Sequence, residues 1–282
     1  MIDHDREDNP VVLFDMDGTL TPPREGLDRS LIAPLVKLSR FAVIGVVSGS
    51  PLAYITQQID ELWTTIGGVL MNEVVLLPCN GTQLYRWSAE EKRFLKKYGM
   101  DFKVHLEKIC EKPSLYKELI QSILFSQLQF MNDHQDFLEF TGNFVSYRNS
   151  MINWSMIGRD AGASERAAFS ELDAENAVRH NLCRALELRI EHLGLGGLVE
   201  FAMGGTTSID IYPTGWDKTH ALRHFDEREV WFVGDKCEPG GNDHSIYNAL
   251  LSTQRSFSTS SPSKTGEILE QYILPKLEKT DG

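Results

Sequence analysis

The apolar positions of the first eighty residues fall into short unbroken runs, and each run stops abruptly at small or polar residues. VVLFDMDGTL is apolar until Asp15, FAVIGVV until Ser48, and VVLLP until Asn80-Gly81. Runs of this length closed by turn residues are the mark of strands buried on both faces, the usual condition in a parallel sheet. Helical spacing separates them: LIAPLVKLSR follows the first run and SGSPLAYITQQI the second, where Ser50 before Pro51 predicts a helix start. Strand, helix, strand, helix predicts a parallel sheet with helices on its faces.

The pattern changes at Ser88. SAEEKRFLKKYGMDFKVHLEKI opens with a capping box, Ser88 to Glu91, and predicts a long amphipathic helix, with YKELIQSILFSQLQF a second. FLEFTGNFVSYRNSMINWSMIGR then reads as antiparallel strands turning near Asn149-Ser150. A helical stretch from SERAAF runs to Gly194, and VEFAMGGTTSIDIYP reads as a hairpin around Gly204-Gly205. Helices mixed with antiparallel strands form an α+β module, after which EVWFVGDKCEPGGNDHSIYNALL restores the parallel type. The predicted organisation is an α/β core of residues 1–87 and 214–282, interrupted by an α+β insertion of residues 88–213. The polar run STQRSFSTSSPSK reads as surface loop before a last helix, GEILEQYILPKLEK.

Composition narrows the possible partners. Lys+Arg 28 against Asp+Glu 40 gives a net charge of −12, which opposes general attraction to nucleic acid or anionic membrane. Any bound phosphate must be met by locally placed cations. The acidic opening MIDHDREDNP has no apolar core of a targeting signal and no run is long enough to span a bilayer, so a cytoplasmic protein is expected. Cys79, Cys110, Cys183 and Cys237 form no closely spaced pair, and reduced thiols are expected rather than zinc or disulfides.

Asp15 and Asp17 stand two apart at a strand end, where extended backbone would point both side chains the same way. One carboxylate can accept a phosphoryl group while the other protonates the leaving oxygen. Carboxylates facing a phosphate require a cation, and Mg2+ suits oxygen ligands. Asp235, in FVGDKCEPGGNDH, is the natural third ligand, with Asn242 and Asp243 following to complete or orient the shell. Gly18 and Gly240-Gly241 would let backbone N–H groups approach the phosphate. Lys218, in GWDK, is expected to hold Asp15 ionised and neutralise the transferring group. Ser48 would donate its hydroxyl to the same phosphate, or cap the following helix beside Ser50. Within the insertion, Arg148, Arg159 and Arg166 lie close along the chain, and their planar forks suit a phosphate monoester, although Arg166 can equally pair with Glu165 or another nearby carboxylate.

The set formed by Asp15-x-Asp17, Ser48, Lys218 and the late Gly-Asp with Asn-Asp resembles the haloacid dehalogenase superfamily. That resemblance implies a doubly wound parallel-sheet core with an inserted cap, Asp15 as nucleophile, Asp17 as acid/base, and Mg2+ held also by the backbone carbonyl of Asp17. A narrower resemblance, carried by FDMDGTLTPPR, YRN, IGR, SER, GGTTSIDIYPTGWDK and GDKCEPGGNDH, is to eukaryotic-type phosphomannomutases and spans Phe14 to His244. It implies interconversion of mannose 6-phosphate and mannose 1-phosphate through an aspartyl-phosphate at Asp15, with a hexose 1,6-bisphosphate activator and a cap that excludes water. It also implies that Arg24, Arg148, Arg159, Arg166, Ser208 and Asp210 bind the hexose phosphate, and that the cap mediates a homodimer.

Two positions depart from that family: Cys79 stands where an acidic residue is common, and YNALLST lacks a carboxylate that often helps hold a second cation. The hydroxyl of Ser48 resembles the more general phosphatase pattern. A sugar-phosphate phosphatase and a non-catalytic sugar-phosphate-binding module are therefore the alternative readings.

Overall fold

The computed structural model describes residues 9–23, 25–60, 74–110, 114–136, 138–226 and 228–280. Two compact units emerge, Met1–Gly99 with Trp216–Gly282, and Met100–Gly215.

The first unit is built on the apolar runs. β1 (Val11–Phe14), β2 (Val43–Val47), β3 (Val74–Leu77) and β10 (Val230–Gly234) are buried along their whole length. With β4 (Gln83–Ser88), β5 (Arg93–Gly99) and β11 (Ser256–Ser258), the sheet order is β11-β10-β1-β2-β3-β4-β5, parallel from β11 through β3. Alternate residues serve opposite faces. Val12 and Phe14 join a cluster with Leu31, Leu35 and Ile55 around α1 (Ile32–Leu38) and α2 (Leu52–Gln58), completed by Ile268 and Leu277. Val11 and Leu13 join one with Ala221, Phe225 and Ile246.

Residues 88–99 do not begin a helix. They complete β4 (Gln83–Ser88) and form β5 (Arg93–Gly99), an antiparallel hairpin that extends the core sheet. The capping interaction forms in part, since Ser88 Oγ accepts the Glu91 N–H at 3.2 Å, but Lys92 takes a left-handed φ of 51° and turns the chain back. Pairing with β4 overrides the local helix signal. Two smaller expectations also change. Helix α2 has Pro51, not Ser50, at its N-cap. The polar run read as loop contains β11, the sheet's edge strand on the β10 side.

In the second unit, β6 (Val145–Tyr147), β7 (Ile152–Ser155), β9 (Ser208–Pro213) and β8 (Val199–Gly204) form, in that order, an antiparallel sheet. Its helices are α3 (Phe102–Cys110), α4 (Leu115–His134), α5 (Ala163–Asn176) and α6 (Val178–Glu191). Trp154 of β7 is fully buried and its indole N–H donates to Gln127 of α4 at 2.7 Å, so this sheet's apolar face meets a helix layer. Among the described residues no helix is long and apolar enough to cross a membrane.

The helical stretch to Gly194 is broken once, at Ala177, which links α5 and α6 in the left-handed conformation with φ 50° and ψ 42°. An L-alanine pays for that conformation, whereas glycine does not. Ala177→Gly is expected to raise stability by about 1 kcal/mol, read as a higher urea midpoint at unchanged m-value.

Candidate active site

In the core, β1 pairs with β2 on one side and β10 on the other. The connections therefore leave in opposite directions and open a crevice at the carboxyl ends of these strands. Asp15 follows β1 and Asp235 follows β10. Gly18 (φ +85°) has a packing reason to be glycine, because a Cβ there would lie 2.4 Å from Asp235 Oδ2. Neither it nor Gly241 offers its N–H to a ligand as expected. Gly18 N–H donates to Thr21 O and Gly241 N–H to Glu238 O, because both amides close tight turns within their own loops.

Lys218 opens a 3-10 helix, Lys218–Phe225, whose N-terminus is capped by Asp217 accepting the Thr219 N–H. Its ammonium is fully buried and lies 2.5 Å from both Asp15 Oδ1 and Asp243 Oδ1. The other oxygen of Asp243 accepts the Lys236 N–H at 3.1 Å. Carboxylate oxygens of Asp15, Asp235 and Asp243 all lie within 4.8 Å of one another. Three carboxylates against one ammonium leave −3 + 1 = −2 formal charges in a largely buried cluster.

Burial is the main influence on Asp15. It raises the carboxyl to about 8 against the pull of Lys218, and Asp243 and Asp235 add to the rise. Burial and Asp243 likewise raise Asp235 to about 6, opposed by Lys236 and Lys218. Burial works to lower Lys218, but the facing Asp15 and Asp243 outweigh it and keep the ammonium charged. Lys218 thus favours the ionised form of Asp15, and burial opposes it. An oxygen-only cluster with two excess negative charges fits a hard divalent cation. Beside Asp243 in the chain, Asn242 has a buried Oδ1 with no hydrogen-bond partner among the described residues, a further oxygen of the same kind.

The Asp17 carboxylate is not among the three clustered acids. It accepts a hydrogen bond from Gln58 Nε2 at 3.2 Å, while Met16 between the two aspartates is buried in the core cluster. Gln58, on α2, had no signal in the sequence. Ser48 is buried at the end of β2, and its Oγ accepts the Ser50 N–H at 3.1 Å. Arg24 lies outside the described residues.

In the second unit, strand alternation separates an apolar from a polar face. Ile152 and Trp154 pair with Ile211 and Ile209, whereas Asn153 and Ser155 pair with Asp210 and Ser208. The three expected arginines gather on the polar side. Arg148 Nη1 is 3.9 Å from Asp210 Oδ1, Arg159 Nη1 donates to Asn153 Oδ1 at 2.7 Å, and Arg166 Nη1 donates to Thr207 Oγ1 at 3.0 Å. Arg166 thus turns toward the β8–β9 turn, not to Glu165. Asn153 and Thr207 were missed by motif reading, although INWS aligned against SIDI by alternation would have put Asn153 on the Asp210 face. Arg179, held by Asp173 at 2.7 Å, clamps the same turn through Gly205 O and Ser208 O.

A family model described as eukaryotic phosphomannomutase matches residues 31–274. Phosphomannomutase 2 of Dictyostelium discoideum is 34% identical over 272 residues, covering 95% of this chain and 98% of that protein. A phosphomannomutase of Nicotiana benthamiana is 33% identical over 245 residues, covering 86% of this chain and 87% of that protein. Among solved structures, an N-terminally truncated Plasmodium falciparum IMP-nucleotidase superposes with TM-score 0.61 at 14% identity, over 95% of this chain and 71% of that one, which shows a shared fold.

Removing the buried ammonium of Lys218 from the acidic cluster should be costly. Lys218→Met is expected to lose about 3–5 kcal/mol at pH 8, and less at pH 5, where Asp15 and Asp235 hold protons. Urea unfolding at both pH values in the presence of a chelator measures the difference.

Proposed function

The chain belongs to the eukaryotic phosphomannomutase family, and from that premise we propose that it interconverts mannose 6-phosphate and mannose 1-phosphate by phosphoryl transfer through Asp15. The observation that carries this reading is the clustering of Asp15 and Asp235, which follow β1 and β10, with Asp243 and the buried Lys218.

Asp15 attacks the phosphorus of a hexose 1,6-bisphosphate activator, and the bond from phosphorus to the sugar oxygen breaks. Asp17 gives that oxygen its proton and later removes one from the hydroxyl of the hexose phosphate that takes the group back from Asp15. Gln58 orients the Asp17 carboxylate through its amide. Lys218 stays protonated and offsets charge on the group in transit. Mg2+, held by Asp15, Asp235, Asp243 and the backbone carbonyl of Asp17, would supply the charge neutralisation that lets Asp15 react as a carboxylate. The polar sheet face of the cap, with Arg148, Arg159, Arg166, Ser208 and Asp210, recognises the sugar phosphate, and Arg24, outside the described residues, is a further substrate-binding arginine.

A coupled assay with mannose 1-phosphate and glucose 1-phosphate, with and without bisphosphate, tests the reading. Activator-dependent interconversion is expected, and Asp15→Asn should abolish it. Phosphate release without interconversion would establish the phosphatase alternative, which the Ser48 hydroxyl favours.

The raised carboxyls also link metal to stability. Asp15 and Asp235 hold protons in the folded apoprotein that the unfolded chain gives up near pH 4, so their contribution is full at low pH. It is lost as pH rises through about 6 and about 8. Mg2+ should therefore raise Tm more at pH 8 than at pH 6, as thermal scans with and without chelator would show.

A further inference from the structure

Asn153 sits at the centre of the cap's polar face and is 2% exposed. Its Nδ2 donates to Ser208 Oγ at 2.9 Å and to Asp210 Oδ1 at 2.7 Å, and its Oδ1 receives Arg159 Nη1. This orientation of the amide is dictated by its neighbours. A guanidinium can only donate and a carboxylate can only accept, so the amide oxygen must face Arg159 and the nitrogen Asp210. Both amide hydrogens are thereby committed. Ser208 has a single hydroxyl proton, and it goes to Gly204 O at 2.6 Å. What remains on Ser208 Oγ is a lone pair, and what remains on Asp210 is acceptor capacity, Oδ2 in particular.

We propose that Asn153 is a positioning residue that sets the cap's specificity: it leaves Ser208 and Asp210 able only to accept, so this pair selects ligands by hydroxyl groups that donate. Phosphate, which is rich in acceptors and poor in donors, is repelled by such a pair and directed to the arginines. The sugar ring is then read by at least one hydroxyl proton. Gly204 belongs to the same device, because a Cβ there would press on Ser208 Oγ at 2.8 Å and on Asp210 Oδ2 at 3.0 Å. Ser155 Oγ, a further hydroxyl on this face, is buried without a hydrogen-bond partner among the described residues and is separate from the accepting pair.

The inference rests on the reading of the cap as the hexose-phosphate site. A site built to pair with a hydroxyl rejects an analogue that lacks it, because buried polar groups are then left unsatisfied. The full chain with Mg2+ and bisphosphate is assayed with mannose 1-phosphate and with its monodeoxy and monodeoxyfluoro analogues. At one ring position at least, deoxy and deoxyfluoro analogues should raise KM by similar factors of about 10 or more, since fluorine retains size and weak acceptor character but has no proton to give. A fluoro analogue that works as well as the parent at every position would overturn the proposal.

In Asn153→Ala the parent should lose affinity while the analogues lose little, so that discrimination collapses to within about threefold. Unchanged discrimination means that Asn153 serves structure alone, and the proposal fails. If the alanine variant does not fold, Asn153→Asp answers the same question with a side chain of the same shape. It places a carboxyl against Asp210, with Ser208, the guanidinia of Arg148 and Arg159 and the cross-strand Ser146 as polar neighbours, and Glu200 and Tyr212 one pair further along the same face. KM should then rise with pH in the variant and not in the wild type, and a pH-independent KM in the variant refutes the proposal. A wild type with no activity on hexose phosphates instead removes the underlying functional reading.

Discussion

The core depends on a charge imbalance that folding alone does not resolve. Three aspartates with oxygens inside 4.8 Å share one buried lysine, and burial keeps two of them protonated more readily than free carboxyls. Such a cluster is poor as a stabilising device, since charges taken out of water must be compensated locally. Its neighbours are nevertheless shaped to permit it. Gly18 and Gly234 leave out side chains that would collide with Asp235 and Asp243, and the Lys236 amide supports Asp243 from behind. Sequence positions that look like loose glycine-rich loop are in fact fitted around carboxylates. A group that is expensive to assemble and closely fitted is characteristic of function rather than of packing.

The cap solves the opposite problem. On its polar sheet face four arginines, Arg148, Arg159, Arg166 and Arg179, meet the carboxylates of Asp210 and Asp173, and most of the polar groups named there are bonded within the unit. Arg148 faces Asp210, Arg159 holds Asn153, Arg166 holds Thr207, and Arg179 is held by Asp173. A satisfied network of this kind is rigid and has its donors and acceptors assigned before any ligand arrives. The core thus holds its charges under strain, and the cap holds its polar groups in fixed geometry.

Much of this was legible in the sequence, for reasons that can be traced. The buried strands announce themselves as apolar runs, and those runs end at Asp15, Ser48 and Asp235 because a parallel sheet exposes its chemistry at carboxyl ends. Legibility failed where a local signal was genuine but served another purpose. Ser88 does bond the Glu91 amide, yet within a hairpin turn, and the charged stretch RFLKKYG is an edge strand whose lysines suit an open sheet edge. Gln58 and Asn153 escaped because an amide carries no motif, and their importance comes from partners 41 and 57 residues away. Close side-chain packing, as at Gly18, and an N–H offered to a ligand leave the same trace in a sequence.

The place of β1 in the sheet has a consequence for how the molecule comes into being on the ribosome. The strand is central, but its partner on one side, β10, is separated from it by more than two hundred residues of chain. During synthesis β1 to β3 emerge early with one flank of the apolar sheet unpaired, and the whole cap is made before that flank can close. The nascent core is a half-sheet with an adhesive edge for most of its translation, a state prone to association with other chains. The cap, by contrast, is one continuous segment of chain. The inserted unit can therefore mature first, and Asp15 acquires Lys218, Asp235 and Asp243 only when the segment that follows the insertion arrives.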